Sequence, residues 1–198
     1  MSGYAKKFST IIQSELGLSE ERREVIAYGI EVFVGTLLGL LGVALFGYLF
    51  GFLLPALAIA LTARTARIYT GGAHCTSMVR CTIVTVIVFM VLTYAATSFL
   101  TPSLILIAGG FVISIALIAR YAPAEVKEKP LSDSHKKELK KGAYKLSVVL
   151  GLSVGVLYFF FSEYFALYLI IGFLWQAFSL TPIGFTVISY MDSLLKFF

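Results

Sequence analysis

The chain has 198 residues, of which 59% are hydrophobic and only 14% charged, whereas soluble domains run at roughly half apolar and a quarter charged. With a mean hydropathy of +0.90 there are too few polar residues to coat a water-soluble globule, so the apolar surplus faces lipid and the expected fold is an all-α, polytopic membrane protein. The net charge of +5 does not point to nucleic acid, because the basic residues cluster between apolar stretches, where a bilayer with anionic headgroups is the expected partner.

In chain order, residues 1–24 read as an N-terminal amphipathic helix. Phe8, Ile11, Ile12, Glu15, Leu16 and Leu18 keep a partial helical period ahead of the charged run 20–24. This segment lies on the membrane surface or docks a partner there. No cleavable signal peptide is expected, since Lys6, Lys7, Arg22 and Arg23 are interleaved with acids and the first apolar segment is too long for one. Residues 25–63 are apolar almost throughout, about twice the ~20 residues that one crossing requires. Two helices are therefore predicted, broken near Gly51 and Pro55, where a proline in the first turn loses no hydrogen bond.

A polar stretch at 64–80 precedes a third span at about 81–99. Thr101, Pro102 and Ser103 mark a turn before a fourth span at about 104–118, and a polar loop is predicted at 121–145. Two further spans, about 146–161 and 164–180, are joined by Ser162 and Glu163. The tail, 181–198, is apolar but short and reads as interfacial. With six transmembrane helices and both termini cytoplasmic, every Lys and Arg falls in the inner segments 1–24, 64–80, 120–145 and 181–198. The outer turns near Gly51, Thr101 and Ser162 carry none, which is the asymmetry that retention of positive charge on the inner side produces. The chain reads as one membrane-embedded domain, with the six-span bundle at 25–180 and no internal repeat.

The chemistry concentrates at 64–81, which contains Arg64, Arg67, Tyr69, Gly71, Gly72, His74, Cys75, Thr76, Ser77, Arg80 and Cys81. On the cytoplasmic side thiols stay reduced, so no disulfide is expected. A thiol becomes a nucleophile when a nearby imidazole takes its proton, and His74 with Cys81 is the candidate pair. On one continuous helix they would share a face but sit roughly 10 Å apart along the axis, at ~1.5 Å per residue. Gly71 and Gly72 permit a bend that folds His74 back over the start of the Cys81 helix, whose dipole would also favour a thiolate. Cys75 is the weaker candidate, being directed elsewhere in most backbone conformations. The competing reading is that Cys81 is a small packing residue. No metal is expected, because His74, Cys75 and Cys81 lack a zinc spacing and His135 is remote.

The pattern Arg67, Gly71-Gly72, His74, Cys81 resembles the signature of the accessory gene regulator B family, membrane peptidases that process a quorum-sensing propeptide. The resemblance continues into Tyr121-Ala122-Pro123-Ala124-Glu125 and Lys129-Pro130, and through chain length and span layout it covers nearly the whole chain. It implies a cysteine endopeptidase of the bacterial plasma membrane with its active site at the cytoplasmic face, His74 as general base and Cys81 as nucleophile. The implied substrate is an amphipathic propeptide like accessory gene regulator D, whose C-terminal tail is removed through a thioester acyl-enzyme. No cofactor is implied, and a homodimer is left open.

Several residues keep alternative readings. Arg67 binds a substrate carboxylate or a lipid phosphate, or anchors the membrane edge, and Gly72 serves backbone geometry. Glu31, within the first span, orients His74, holds Arg67 or receives a substrate amine, unless it is simply interfacial. Trp175 and Gln176 read as packing and interface groups. Lys127, Lys129, Lys136, Lys137, Lys140, Lys141 and Lys145 contact anionic lipid or, as the resemblance implies, an acidic part of the propeptide. The rival functions are a small transporter or peptide exporter with Glu31 as its coupling carboxylate, and a noncatalytic membrane scaffold.

Overall fold

Apolar runs punctuated by glycine, proline and capping serines favour helices, and the computed structural model, which describes residues 3–124 and 132–196, contains helices joined by short connections. Helix α1 (Gly3–Leu16) ends at Gly17 and α2 (Glu20–Leu49) follows at once. The Ser19 hydroxyl accepts from Arg22 N, and Glu20 and Glu21 occupy the first turn of α2, where acids complement the helix dipole. The charged run therefore opens α2 instead of closing the amphipathic segment. After a break at 50–52 come α3 (Leu53–Thr70), α4 (Met78–Phe99), α5 (Leu104–Tyr121) and α6 (Asp133–Val156), which continues into a π-helical turn, Leu157–Phe161. Helices α7 (Glu163–Phe178) and α8 (Pro182–Leu194) complete the chain as described.

All six predicted span positions are helical. Four of these helices, α2, α4, α5 and α6 with its π turn, are long and apolar enough to cross a membrane, and the pair α7 and α8, bent by 89°, brings the number to as many as five. Helix α3 carries Arg64 and Arg67 in its second half, which lowers its hydropathy. The predicted polar loop is shorter than expected, because its part from Asp133 onward is the start of α6. Ser132 caps that helix by accepting from His135 N and Asp133 stands in its first turn, while Lys and Glu propagate a helix about as well as Leu. Glu125, Lys127, Lys129 and Pro130 lie outside the described residues.

Helix α3 is the central element, packed against α2, α4, α6 and α7. Its inward face, Ala56, Ile59, Ala60 and Ala63, is small and buried, which lets neighbouring backbones approach closely. At Gly172 of α7 that approach is extreme, since a Cβ there would fall 2.3 Å from the Ile59 carbonyl oxygen. Large apolar side chains such as Ile105, 88% exposed, and Phe160, 78% exposed, cover the outside, as a lipid-facing surface requires. Meanwhile the end of α3, the start of α4, the end of α5 and the first half of α6 converge at one end of the bundle. Ala124 N donates to Thr70 O at 2.8 Å and Lys140 Nζ to Ala119 O at 3.2 Å.

The α3–α7 contact makes a direct prediction. Gly172→Ala forces the two backbones apart and should cost about 1–3 kcal/mol, lowering the unfolding temperature in detergent. Gly109→Ala, which meets nothing within 4 Å, should leave it unchanged.

Candidate active site

The site is built where α3 stops. Gly71 (φ 68°) and Gly72 (φ 133°) both take positive φ, a region that residues with a Cβ rarely enter. Gly71 also pairs with Ala124 in an isolated parallel bridge, and a Cβ on it would lie 2.4 Å from the Ala124 oxygen. The backbone thus leaves α3, reverses, and runs through residues 73–77 to enter α4 at Met78. Cys81 sits in the first turn of α4, its N–H bonded to Ser77 O at 2.9 Å.

The bend brings together what a straight helix would separate. The Cys81 sulfur lies within interaction reach of the His74 imidazole, of the Cys75 thiol and of the Cys75 backbone N–H. His74 is exposed, both cysteines are partly buried, and neither is in a disulfide. Cys75 departs from the sequence expectation. Because the segment after Gly72 is not helical, its side chain turns toward Cys81 instead of away. Its hydrogen bond to Cys81, together with burial, pushes the Cys75 thiol above the usual range, so it stays a neutral S–H.

These groups line a narrow cavity of about 70 Å³ together with Arg64, Arg67, Trp175, Gln176 and Ile188. That is room for about two water molecules, so a peptide must reach the sulfur from an edge. Arg67 is partly buried, its guanidinium donating to the Ala73 carbonyl and, at 3.5 Å, to Gln176 Oε1. Gly72 makes this route available, since a Cβ there would come within 3.1 Å of the Arg67 guanidinium and of Ser179 Oγ. Gln176, only 2% exposed, donates Nε2 to Thr70 Oγ1 at 2.9 Å and to Gly71 O at 2.7 Å. Arg64 donates to Thr36 Oγ1 at 3.0 Å, which joins α3 to α2. With the N-terminus of α4 aimed at the same place, positive potential converges on the thiol.

Of the residues singled out by sequence, His74, Cys81, Arg67 and Gly72 therefore meet at one place. Glu31 is on α2, is partly buried, and is not among the residues lining this cavity. Lys141 and Lys145 border a separate groove with Tyr69 and Glu138. Sequence reasoning missed Gln176 as the holder of the bend; the available signal was an amide in the middle of an apolar span. It also passed over Asp192, whose side chain is buried against the same loop.

The chain resembles known proteins over most of its length. The family model described as Accessory gene regulator B matches residues 5–180. An AgrB-like protein of Clostridium perfringens (strain SM101 / Type A) is 31% identical over 203 residues, covering 96% of this chain and 95% of that protein. Accessory gene regulator protein B of Staphylococcus aureus (strain Newman) is 27% identical over 179 residues, covering 90% of this chain and 92% of its own length. No solved structure matches the chain.

The contrast between the thiols can be measured without any substrate. At neutral pH iodoacetamide should modify Cys81 at least about tenfold faster than Cys75, because only the thiolate reacts. Tryptic cleavage after Arg80 places the two on different peptides, so mass spectrometry reads each rate. Gln176→Leu leaves the Gly71 carbonyl without its partner and takes from the Thr70 hydroxyl the donor it accepts from, and should cost about 1–3 kcal/mol, seen as a lower unfolding temperature.

Proposed function

The chain belongs to the accessory gene regulator B family, and from that premise we propose that it is a membrane cysteine endopeptidase, removing the C-terminal tail of a quorum-sensing propeptide. The observation that carries the reading is the convergence of an imidazole, a thiol and a backbone N–H at Cys81. In this reading the chain is a single membrane-embedded domain crossing the bacterial plasma membrane six times, with both termini and the site on the cytoplasmic side. The supporting pattern is that every Lys and Arg falls in the segments assigned to that side.

His74 takes the Cys81 proton, and the sulfur attacks the scissile carbonyl of an amphipathic propeptide lying along the inner membrane surface. In this reading the Cys75 N–H, which lies beside the sulfur, donates to the carbonyl oxygen as negative charge develops on it in the tetrahedral intermediate. Collapse breaks the C–N bond, His74 returns its proton to the departing amine, and the acyl group remains on Cys81 as a thioester. An internal thiol of the substrate gives its proton to the now neutral His74 and attacks that carbonyl, closing a ring as the C–S bond to Cys81 breaks and leaves the Cys81 thiolate beside the imidazolium. The small cavity limits competing water. Arg67 acts chiefly by holding Ala73, and so His74, in place, and Gly72 by leaving room for it. Glu31, off the cavity, serves at most as an outlying contact for the propeptide, whose acidic part meets the lysines of α6. The lipid bilayer with its anionic headgroups is the second partner.

The test is processing of a cognate propeptide in proteoliposomes. Cys81→Ser should abolish cleavage, and His74→Ala should lower it by about 10²–10⁴-fold, the range of a lost general base. Cys75→Ala, which keeps its backbone N–H, should still cleave. Normal cleavage by Cys81→Ser overturns the assignment. Transport that survives Cys81→Ser but fails in Glu31→Gln would instead identify an exporter.

A further inference from the structure

The loop that carries His74 is anchored at its start by Arg67 and Gln176, yet two glycines precede it, so its other end needs a second anchor. That anchor comes from α8, beyond the residues that the family model matches. Asp192 is only 4% exposed. Its carboxylate accepts from Thr76 N at 3.2 Å, from Thr76 Oγ1 at 2.8 Å and from Arg80 Nε at 2.7 Å. Arg80 also donates to Thr76 Oγ1 at 2.7 Å, closing a ring of three side chains. Thr76 directly follows His74-Cys75 and Arg80 directly precedes Cys81, so one carboxylate fixes both ends of the segment between imidazole and thiol.

An acid on a short amphipathic helix can face water at no cost, whereas turning it inward requires that it be paired. Burial alone would push this carboxyl up, but the hydrogen bonds from Arg80 and Thr76 outweigh it and hold the group below the usual carboxylate range. One turn earlier on the same face of α8, Ile188 lines the cavity that holds Cys81. Helix α8 thus supplies both a wall of the site and the clamp on its loop.

We propose that Asp192 is a positioning residue for the cleavage reaction, clamping Thr76 and Arg80 so that His74 and Cys81 stay within proton-transfer reach. This rests on the reading that those two residues carry the chemistry, and Asp192 itself touches no reacting atom. The test uses the full chain in proteoliposomes and reads propeptide cleavage alongside site-resolved iodoacetamide labelling. Asp192→Ala should lower kcat by about 10²-fold, the scale of an ångström-sized misplacement of a reacting group, with KM changed by less than about twofold. Cys81 labelling should slow in parallel. Asp192→Asn, which keeps an acceptor for Thr76, should fall between the alanine variant and the native protein.

If Asp192→Ala does not fold, Thr76→Val, which removes the hydroxyl that donates to Asp192 and accepts from Arg80, should show the same kcat-selective loss in a folded protein. Unchanged kcat and unchanged Cys81 labelling in a folded variant overturn the clamp, as does a loss that appears equally in KM. Should Cys81→Ser still cleave, it is the assignment of Cys81 as nucleophile that fails. The labelling rate alone then decides whether Asp192 sets the environment of Cys81, and an unchanged rate in Asp192→Ala overturns that too.

Discussion

Between Thr70 and Met78 the backbone must leave one helix, reverse, and enter the next within a few residues. Gly71 and Gly72 take the positive φ values, and the Ala124 oxygen lies where a Cβ on Gly71 would have to go. The reversal is therefore fixed by sterics from two sides, by the conformations that glycine alone adopts cheaply and by the segment after α5 lying across it. Whether imidazole meets thiol depends on this reversal. Extending α3 by one further turn would carry His74 away from the start of α4, and Arg67 would lose the Ala73 carbonyl that it holds.

A reversal of this kind leaves carbonyls without helical partners, and side chains from the neighbouring helices satisfy them. Gln176 meets the Gly71 oxygen and the Thr70 hydroxyl, and Arg67 takes the Ala73 oxygen and the Gln176 oxygen. Such a polar cluster needs α3 and α7 to lie close together, which the alanine face of α3 and Gly172 allow. Small residues in one stretch of each helix thus make room for long polar ones in the next. Packing and site geometry are in this respect one problem.

Composition and apolar run lengths made the helical membrane class and the helix positions legible, and Gly-Gly-x-His with a following Cys announced the candidate chemistry. What stayed hidden is long-range. Arg80 and Asp192 are separated by 112 residues and Arg67 and Gln176 by 109, and no local period or cap signal reports contacts over such distances. Gln176 in an apolar span looked like an interface group because hydropathy says only that a residue is polar, not which way it faces. Cys75 was set aside because a side chain next to His74 points elsewhere in most backbone conformations, whereas after two positive-φ glycines its thiol turns toward Cys81. The early start of α6 was legible in principle, for Ser132 and Asp133 form a standard helix opening, but a run of lysines obscured it.

The cavity beside Cys81, at about 70 Å³, also dictates how an inhibitor would have to work. A conventional drug-sized ligand draws its affinity from filling an enclosed pocket of several hundred cubic ångströms, and this one offers no such volume. Selectivity would have to come from a compact electrophile that fits among Arg67, Trp175 and Ile188 and forms a bond to sulfur. Its remaining bulk would lie outside the cavity.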